Sequence, residues 1–266
     1  MTRLGLLLLV SCVLVGALGP APRVDAGETS QTVVIDPGHG GADLGARGSG
    51  GALEKELTLS VAKKLAKLLR TQGTDVVLTR TSDVFVALSE RTEIANRAHA
   101  ALFVSIHANS APEREIAGAE TFFLSLEASD DEAMRVAMTE NDVFKQEGTA
   151  DEGRDVVGAI LGDLIRTEHL RESSALAALI QRQLARLPGS SRGVKQAPFV
   201  VLTGVNMPAA LVEMGFITNP AESERMGQRD RQDAIAKALA AAIGEAMMQN
   251  REARLATDQP PAEEKP

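Results

Sequence analysis

The sequence has no tryptophan, no tyrosine and a single cysteine, Cys12, among its 266 residues. Seven phenylalanines are its only aromatics, so a base-stacking platform or a sugar-binding floor of Trp and Tyr is excluded. One cysteine likewise excludes an intramolecular disulfide and a cysteine-ligated zinc site. Positive charge is scarce: 28 Lys and Arg stand against 36 Asp and Glu, a net charge of −8. That balance argues against a nucleic-acid partner bound by counterion release. What is present, 44% hydrophobic and 24% charged residues, is the composition of a globular protein with one core or two.

Residues 1–26 read as an export signal. Arg3 gives a short positive start, residues 4–18 are almost wholly apolar, and Val24-Asp25-Ala26 meets the small-residue rule for signal-peptidase cleavage. The apolar run is shorter than the roughly 20 residues of a membrane-spanning helix, so no stable membrane span is expected in the mature form. Leu9-Val10-Ser11-Cys12 resembles a lipoprotein cleavage box, but the apolar run continues past Cys12, opposite to the usual order. Cleavage after Ala26 leaves a cysteine-free chain that must be held by its core alone, or by a core and a metal.

Beyond the signal, strand and helix patterns alternate. Thr32-Val33-Val34-Ile35 is a β-branched run that stops at Asp36-Pro37-Gly38. Leu57, Val61, Leu65 and Leu68 fall at helical spacing and end before Gly73. Residues 76–78, 102–106, 120–124, 199–202 and 210–212 read as further strands, and 88–98 and 234–248 as further helices. This order predicts an α/β fold with a mostly parallel central sheet and helices on both faces. The domain spans 27–250, and the polar, Pro-rich end, 251–266, reads as a disordered tail.

One segment, 128–172, breaks the alternation with two helical patterns, near 132–144 and 156–170, and no strand. It carries 12 acidic and 5 basic residues, so −7 of the −8 net charge lies in it. Two readings fit: a solvated helical hairpin decorating the sheet, or a cap over the sheet's edge.

His39, in Asp36-Pro37-Gly38-His39-Gly40-Gly41, and His107, in Ser105-Ile106-His107-Ala108-Asn109, follow predicted strands. Ligands of α/β sheets bind at the carboxyl ends of strands, so both imidazoles are expected at one edge. A catalytic zinc takes three protein ligands and keeps one position open, and two histidines with a carboxylate form such a set. Glu54 and Glu56 are candidates for that carboxylate, although acids in a helix's first turn are also favoured by the helix dipole. Glu213, ending an apolar strand, suits a general base or acid with a raised pKa, or a paired structural carboxylate. His99 and His169 fall in predicted helices without a partner motif and read as structural or surface residues.

Together these motifs resemble the zinc-dependent N-acetylmuramoyl-L-alanine amidases of the amidase-3 type, cell-wall hydrolases related to cell-division amidases. The resemblance runs from about residue 32 to 246. It rests on Val34-Ile35-Asp36-Pro37-Gly38-His39-Gly40-Gly41, Glu54-Lys55, Thr79-Arg80, Ser105-Ile106-His107-Ala108-Asn109 and Gly118-Ala119-Glu120-Thr121. Arg192-Gly193-Val194-Lys195-Gln196 and Val212-Glu213-Met214-Gly215-Phe216-Ile217-Thr218-Asn219-Pro220 complete it. The resemblance implies one zinc ion held by His39, Glu54 and His107, with Glu213 as the catalytic glutamate. It implies cleavage of the bond between N-acetylmuramic acid and L-alanine in peptidoglycan, in the periplasm. It also implies that the insertion covers the site until an activator protein moves it, with Glu140 the candidate inhibitory residue and Glu132 and Glu147 its rivals. Phe122-Phe123 stand where the family often has tyrosines, and Thr167-Glu168-His169 departs from its usual pattern. Two other functions stay in view: a non-catalytic peptidoglycan-binding or regulatory protein on the same scaffold, and a zinc peptidase acting on stem peptides. N-terminal sequencing of the exported protein is expected to begin at Gly27, and a lipid-modified Cys12 at the mature terminus would overturn that assignment.

Overall fold

The β-branched run at 32–35 forms most of β1 (Thr32–Pro37), a strand of a six-stranded sheet. The computed structural model describes residues 31–146, 167–189 and 191–257. The export signal with Cys12, Glu147 and most of the second predicted insertion helix therefore lie outside the described residues. The other strands are β2 (Asp75–Leu78), β3 (Leu102–Asn109), β4 (Ala119–Leu124), β5 (Ser191–Ala197) and β6 (Ala209–Phe216). Their spatial order is β2-β1-β3-β6-β4-β5. The first four of these are parallel, β4 runs antiparallel to β6, and β5 runs parallel to β4. Among the described residues six α-helices accompany them: α1 (Glu54–Thr71), α2 (Leu88–Arg97), α3 (Asp131–Gln146), α4 (Thr167–Leu184), α5 (Pro220–Gly227) and α6 (Arg229–Thr257). The result is the mostly parallel sheet with helices on both faces that the sequence predicts.

Side chains alternate across each strand, and the two faces bury separate cores. On one face Val33, Ile35, Val104, Ile106 and Val212 pack under α1, α4 and α6. On the other, Val34, Phe103, Phe122 and Leu211 meet Leu88 and Ala95 of α2 and Ala133, Val136 and Ala137 of α3. The same parity carries Asp36, Ser105, His107 and Glu213 onto this second face, at the carboxyl ends of β1, β3 and β6.

Several predicted boundaries change. Phe199-Val200-Val201-Leu202 is not a strand; residues 200–202 form a 3-10 turn that buries Val201 and Leu202 with Phe199 in the second core. The missing strand is β5, whose Ser, Arg, Gly, Lys and Gln read as loop because it lies at the sheet edge, half in water. His107 lies within β3 rather than beyond it, and Glu213 lies inside β6. His99 follows α2 instead of belonging to it, with a left-handed φ of 45°. The closing helix runs through residues 251–257, into the span read as tail. Residues 167–172 lie in α4, whose Leu176, Ala177 and Ile180 pack in the first core, so the span read as insertion runs into a core helix. The short α5, absent from the sequence reading, is capped by Asn219, which accepts the Glu222 N–H at 3.0 Å.

Asp36 anchors the carboxyl end of β1. It is wholly buried, and its oxygens accept from Thr79 Oγ1 at 2.6 Å, the Arg91 guanidinium at 2.6 Å and Ser105 Oγ at 2.7 Å. Burial alone would raise its pKa, but the charge of Arg91 and these hydrogen bonds outweigh it and hold the group below 3.8. Asp36→Asn strips Arg91 of its counter-charge, and a loss of about 3–5 kcal/mol is expected, read as a lower urea midpoint. Since the folded pKa lies below the unfolded one, this stabilisation is complete above the unfolded value and disappears as pH falls through the folded value. The acid limb of the stability curve should therefore be shallower in Asp36→Asn than in the parent.

Candidate metal centre

His39 follows β1 in a glycine-rich loop, with a φ of 60°, a backbone conformation a side-chain-bearing residue seldom adopts. Two buried arginines hold that loop by its carbonyls. Arg80 donates to Pro37 O at 2.9 Å and Gly38 O at 2.7 Å, and Arg91 donates to Pro37 O at 2.8 Å and His39 O at 3.0 Å. Lys55 ties the loop from a third side, donating to Gly41 O and to Asp83, each at 2.8 Å. Glycine is required at 38 because a Cβ there would come within 2.3 Å of the His107 ring.

His39 Nδ1 lies 2.8 Å from Asp43 Oδ2. With that nitrogen protonated and donating to Asp43, Nε2 is left as a free acceptor facing inward. Glu54, the first residue of α1, is fixed by its own loop and by β3: Oε2 accepts from Ala46 N at 2.8 Å and Oε1 from Ala108 N at 2.9 Å. Its Oε1 lies 3.1 Å from both His39 Nε2 and His107 Nδ1. Glu56, the alternative carboxylate, is an exposed residue of the same turn and is not part of this cluster.

The fourth group comes from α3. Ala133, Val136 and Ala137 form the helix's buried stripe, and Glu140 is the next position on that face. Its Oε2 lies 2.8 Å from His107 Nδ1 and 3.2 Å from His39 Nε2. Glu132, on the same helix, instead meets Arg192 and Lys195. His169 lies on α4 with Glu172 as its neighbour at 3.2 Å, outside the cluster. Among the described residues, His39, Glu54, His107 and Glu140 have ligand atoms all within 4.8 Å of one another.

These buried groups need a shared positive centre. Burial would lower the His107 pKa, but the charge of Glu140 and the hydrogen bond with Glu54 outweigh it and push it up to about 10. His39 rises well above its usual value in the same way, against burial, through Glu54, Glu140 and Asp43. Glu54 opposes its own burial through the two imidazoles and is held below the usual carboxylate range. Protons on the imidazoles satisfy that demand, and so would a divalent cation. The donor set fits one: neither His39 Nε2 nor Glu140 Oε2 makes a well-aligned hydrogen bond, although both are buried. Donors at ~2.0–2.1 Å from a tetrahedral zinc stand about 3.3 Å apart, close to the separations seen here.

Glu213 stands beside the cluster, opposite His107 in the β3–β6 register. It is wholly buried, and neither carboxylate oxygen has a hydrogen-bond partner among the described residues. Burial, then the nearby charge of Glu140, pushes its pKa well above the ordinary value. A buried acid of that kind can take up and return a proton near neutral pH. Sequence reasoning missed Asp43 and Arg91. Arg91 shares the buried side of α2 with Leu88 and Ala95, and a cation on an apolar stripe was the available signal.

The N-acetylmuramoyl-L-alanine amidase family matches residues 33–245. N-acetylmuramoyl-L-alanine amidase AmiA of Salmonella typhimurium is 38% identical over 225 residues, covering 84% of this chain and 78% of that protein. AmiA of Escherichia coli K12 is 37% identical over the same shares. Among solved structures, AmiC2 of Nostoc punctiforme superposes with a TM-score of 0.63 at 32% identity, covering 82% of this chain and 97% of the other. An amidase from Clostridium difficile 630 superposes at 0.64 with 28% identity, covering 83% and 98%. Matched over most of its length by sequence and by fold, the chain belongs to the N-acetylmuramoyl-L-alanine amidase family.

Proposed function

We propose that the protein is a zinc-dependent hydrolase that cuts the amide between N-acetylmuramic acid and L-alanine in peptidoglycan. The observation that carries this reading is the buried His39, Glu54 and His107 triad with the unpartnered Glu213 at its side. His39, Glu54 and His107 would hold one zinc ion. Zinc bound there supplies Lewis acidity, polarising the amide carbonyl and lowering the pKa of water towards ~7.

The chain's own groups do the rest. Asp43 keeps the His39 proton on Nδ1, and Ala46 and Ala108 N–H groups keep Glu54 an acceptor. Glu213 takes the proton of the attacking water on a carboxylate oxygen and returns it to the alanine nitrogen as the amide breaks. Its burial and its missing partners leave it free to carry that proton.

In this reading α3 holds the enzyme shut. Glu140 supplies a fourth donor where substrate and water would enter, and Arg135 to Ser110 O (3.0 Å) and Asn141 to Pro198 O (2.8 Å) dock the helix. An activator protein would act by drawing α3 away. The substrate places the mature protein in the cell envelope, exported and periplasmic, and no described helix is long and apolar enough to cross a membrane.

Glu213→Gln should retain one zinc per chain by elemental analysis while turnover of murein falls by about 10²–10⁴-fold. Full turnover in that variant would overturn the assigned role, and digestion of murein by the opened Glu140→Ala chain with zinc that released no intact stem peptide would overturn the activity itself. Glu140→Ala should raise release of peptide from isolated sacculi roughly ten- to a hundredfold, the value of a charge-assisted contact of about 1.5–3 kcal/mol. No rise, with the fold intact by circular dichroism, would overturn the inhibitory role of Glu140.

A further inference from the structure

A second set of charges, buried at Glu120 and Lys195 and part-exposed at Arg192 and on the α3 side, lies beyond Glu213, and the chemistry above does not use it. Glu120 of β4 stands opposite Glu213 in the β4–β6 register and is wholly buried. Its Oε1 accepts from Asn109 Nδ2 at 2.6 Å, and its Oε2 lies 3.1 Å from Arg192 Nε and 3.2 Å from Lys195 Nζ. On their other side both cations meet α3: Arg192 pairs with Glu132, and Lys195 lies 3.3 Å from Glu132 and 3.3 Å from Asp130. Arg192 also sits over the Phe216 ring, 5.3 Å from its centre.

The two sides of this cluster differ. Glu120 is part of the sheet and stays, whereas Glu132 lies in the first turn of α3 and Asp130 immediately precedes it, accepting from Ala133 N at 2.7 Å. One fixed carboxylate against two cations leaves an excess of one positive charge at the strand ends when α3 is elsewhere. The backbone is shaped to aim that charge. The β4–β5 register passes from Ala119–Ser191 to Glu120–Gly193, skipping Arg192, and Gly193 has a φ of 90°. Such a bulge redirects a side chain at the cost of a ladder position, and bulges recur beside active sites. A guanidinium held this way presents the planar fork that pairs with a carboxylate.

Building on the amidase reading, we propose that Arg192 and Lys195 form a subsite for a free carboxylate of the stem peptide, which Glu132 imitates while α3 is docked. The same helix thus carries one carboxylate for the metal cluster and one for the substrate's anion. Glu132 and Glu140 are eight residues apart on α3, about 12 Å along a helix axis. An extended peptide covers that distance in three to four residues at ~3.3–3.6 Å each, so the recognised carboxylate lies within that reach of the bond cut.

The test uses the full chain carrying Glu132→Gln and Glu140→Ala, which removes both α3 carboxylates. Two probes are compared: an N-acetylmuramoyl tripeptide with free carboxyl groups and the same compound with them converted to carboxamides. Binding is measured by calorimetry with Glu213→Gln added, so that neither probe is consumed, and peptide release by mass spectrometry without that change. The free-carboxyl probe should bind about tenfold or more tightly, with the difference appearing in KM more than in kcat. Arg192→Gln should abolish the preference and Arg192→Lys should restore part of it. Equal affinity for the two probes, including no measurable binding of either, overturns the subsite, and that comparison needs no change at Arg192. Selective binding without any peptide release keeps the subsite and overturns the amidase reading; equal release and equal KM for both probes do the reverse.

Discussion

Ionised carboxylates kept from water cost several kcal/mol each unless something compensates them, and this demand organises the strand ends. Asp36, Glu54, Glu120 and Glu213 are each no more than 1% exposed. Asp36 is compensated by Arg91 and two hydroxyls, and Glu120 by Arg192, Lys195 and Asn109. Glu54 is compensated by two backbone N–H groups and two imidazoles. Glu213 has no hydrogen-bond partner among the described residues, and its pKa moves up, where those of Asp36 and Glu54 are lowered. The difference in compensation separates groups that brace the scaffold from the one free to exchange a proton.

The fold delivers these groups through strand parity and through arginine. Alternation along β3 and β6 places His107 and Glu213 on the face that also buries Phe103 and Leu211, so the site is continuous with a hydrophobic core. His39 needs more help, because its left-handed backbone is unfavourable for a residue with a side chain. Arg80 and Arg91 provide it by binding the carbonyls of residues 37, 38 and 39 directly. Asp36 in turn pairs with Arg91, so β1, the loop and α2 are mechanically one unit.

The parts of this arrangement that could be read from sequence are those written in local pattern. The β-branched run of β1, the apolar spacing of α1 and the place of His39 just after β1 follow from local pattern, whereas the same pattern puts His107 past a strand that in fact runs on to Asn109. Glu54 and Glu56 could not be separated that way, because both sit in the first turn of α1 and only the fold shows which one faces the imidazoles. β5 was hidden for a different reason. An edge strand made of Ser, Arg, Gly, Lys and Gln satisfies its hydrogen bonds through β4 and carries little apolar signal. The 3-10 turn at 200–202 was mistaken for a strand because burial, not extended geometry, explains its Val-Val-Leu composition. Arg91 and Glu120 act through residues 55 and 72 positions away, and no short window contains both partners.

The packing of α3 bears on how a helix could both block a site and leave it. Among its described side chains, the buried apolar stripe is Ala133, Val136 and Ala137, all small. A fully buried valine contributes only about 1.5–3 kcal/mol, and alanine less. Polar contacts made by Glu132, Arg135, Glu140 and Asn141 add to that packing. Polar contacts can be exchanged for water or for a substrate's own groups at modest net cost, whereas a large apolar face cannot. Under the proposed function, a helix built this way is specific when docked and releasable by a partner. Three acids of the insertion, Asp130, Glu132 and Glu140, are the ones that Arg192, Lys195 and the two imidazoles meet.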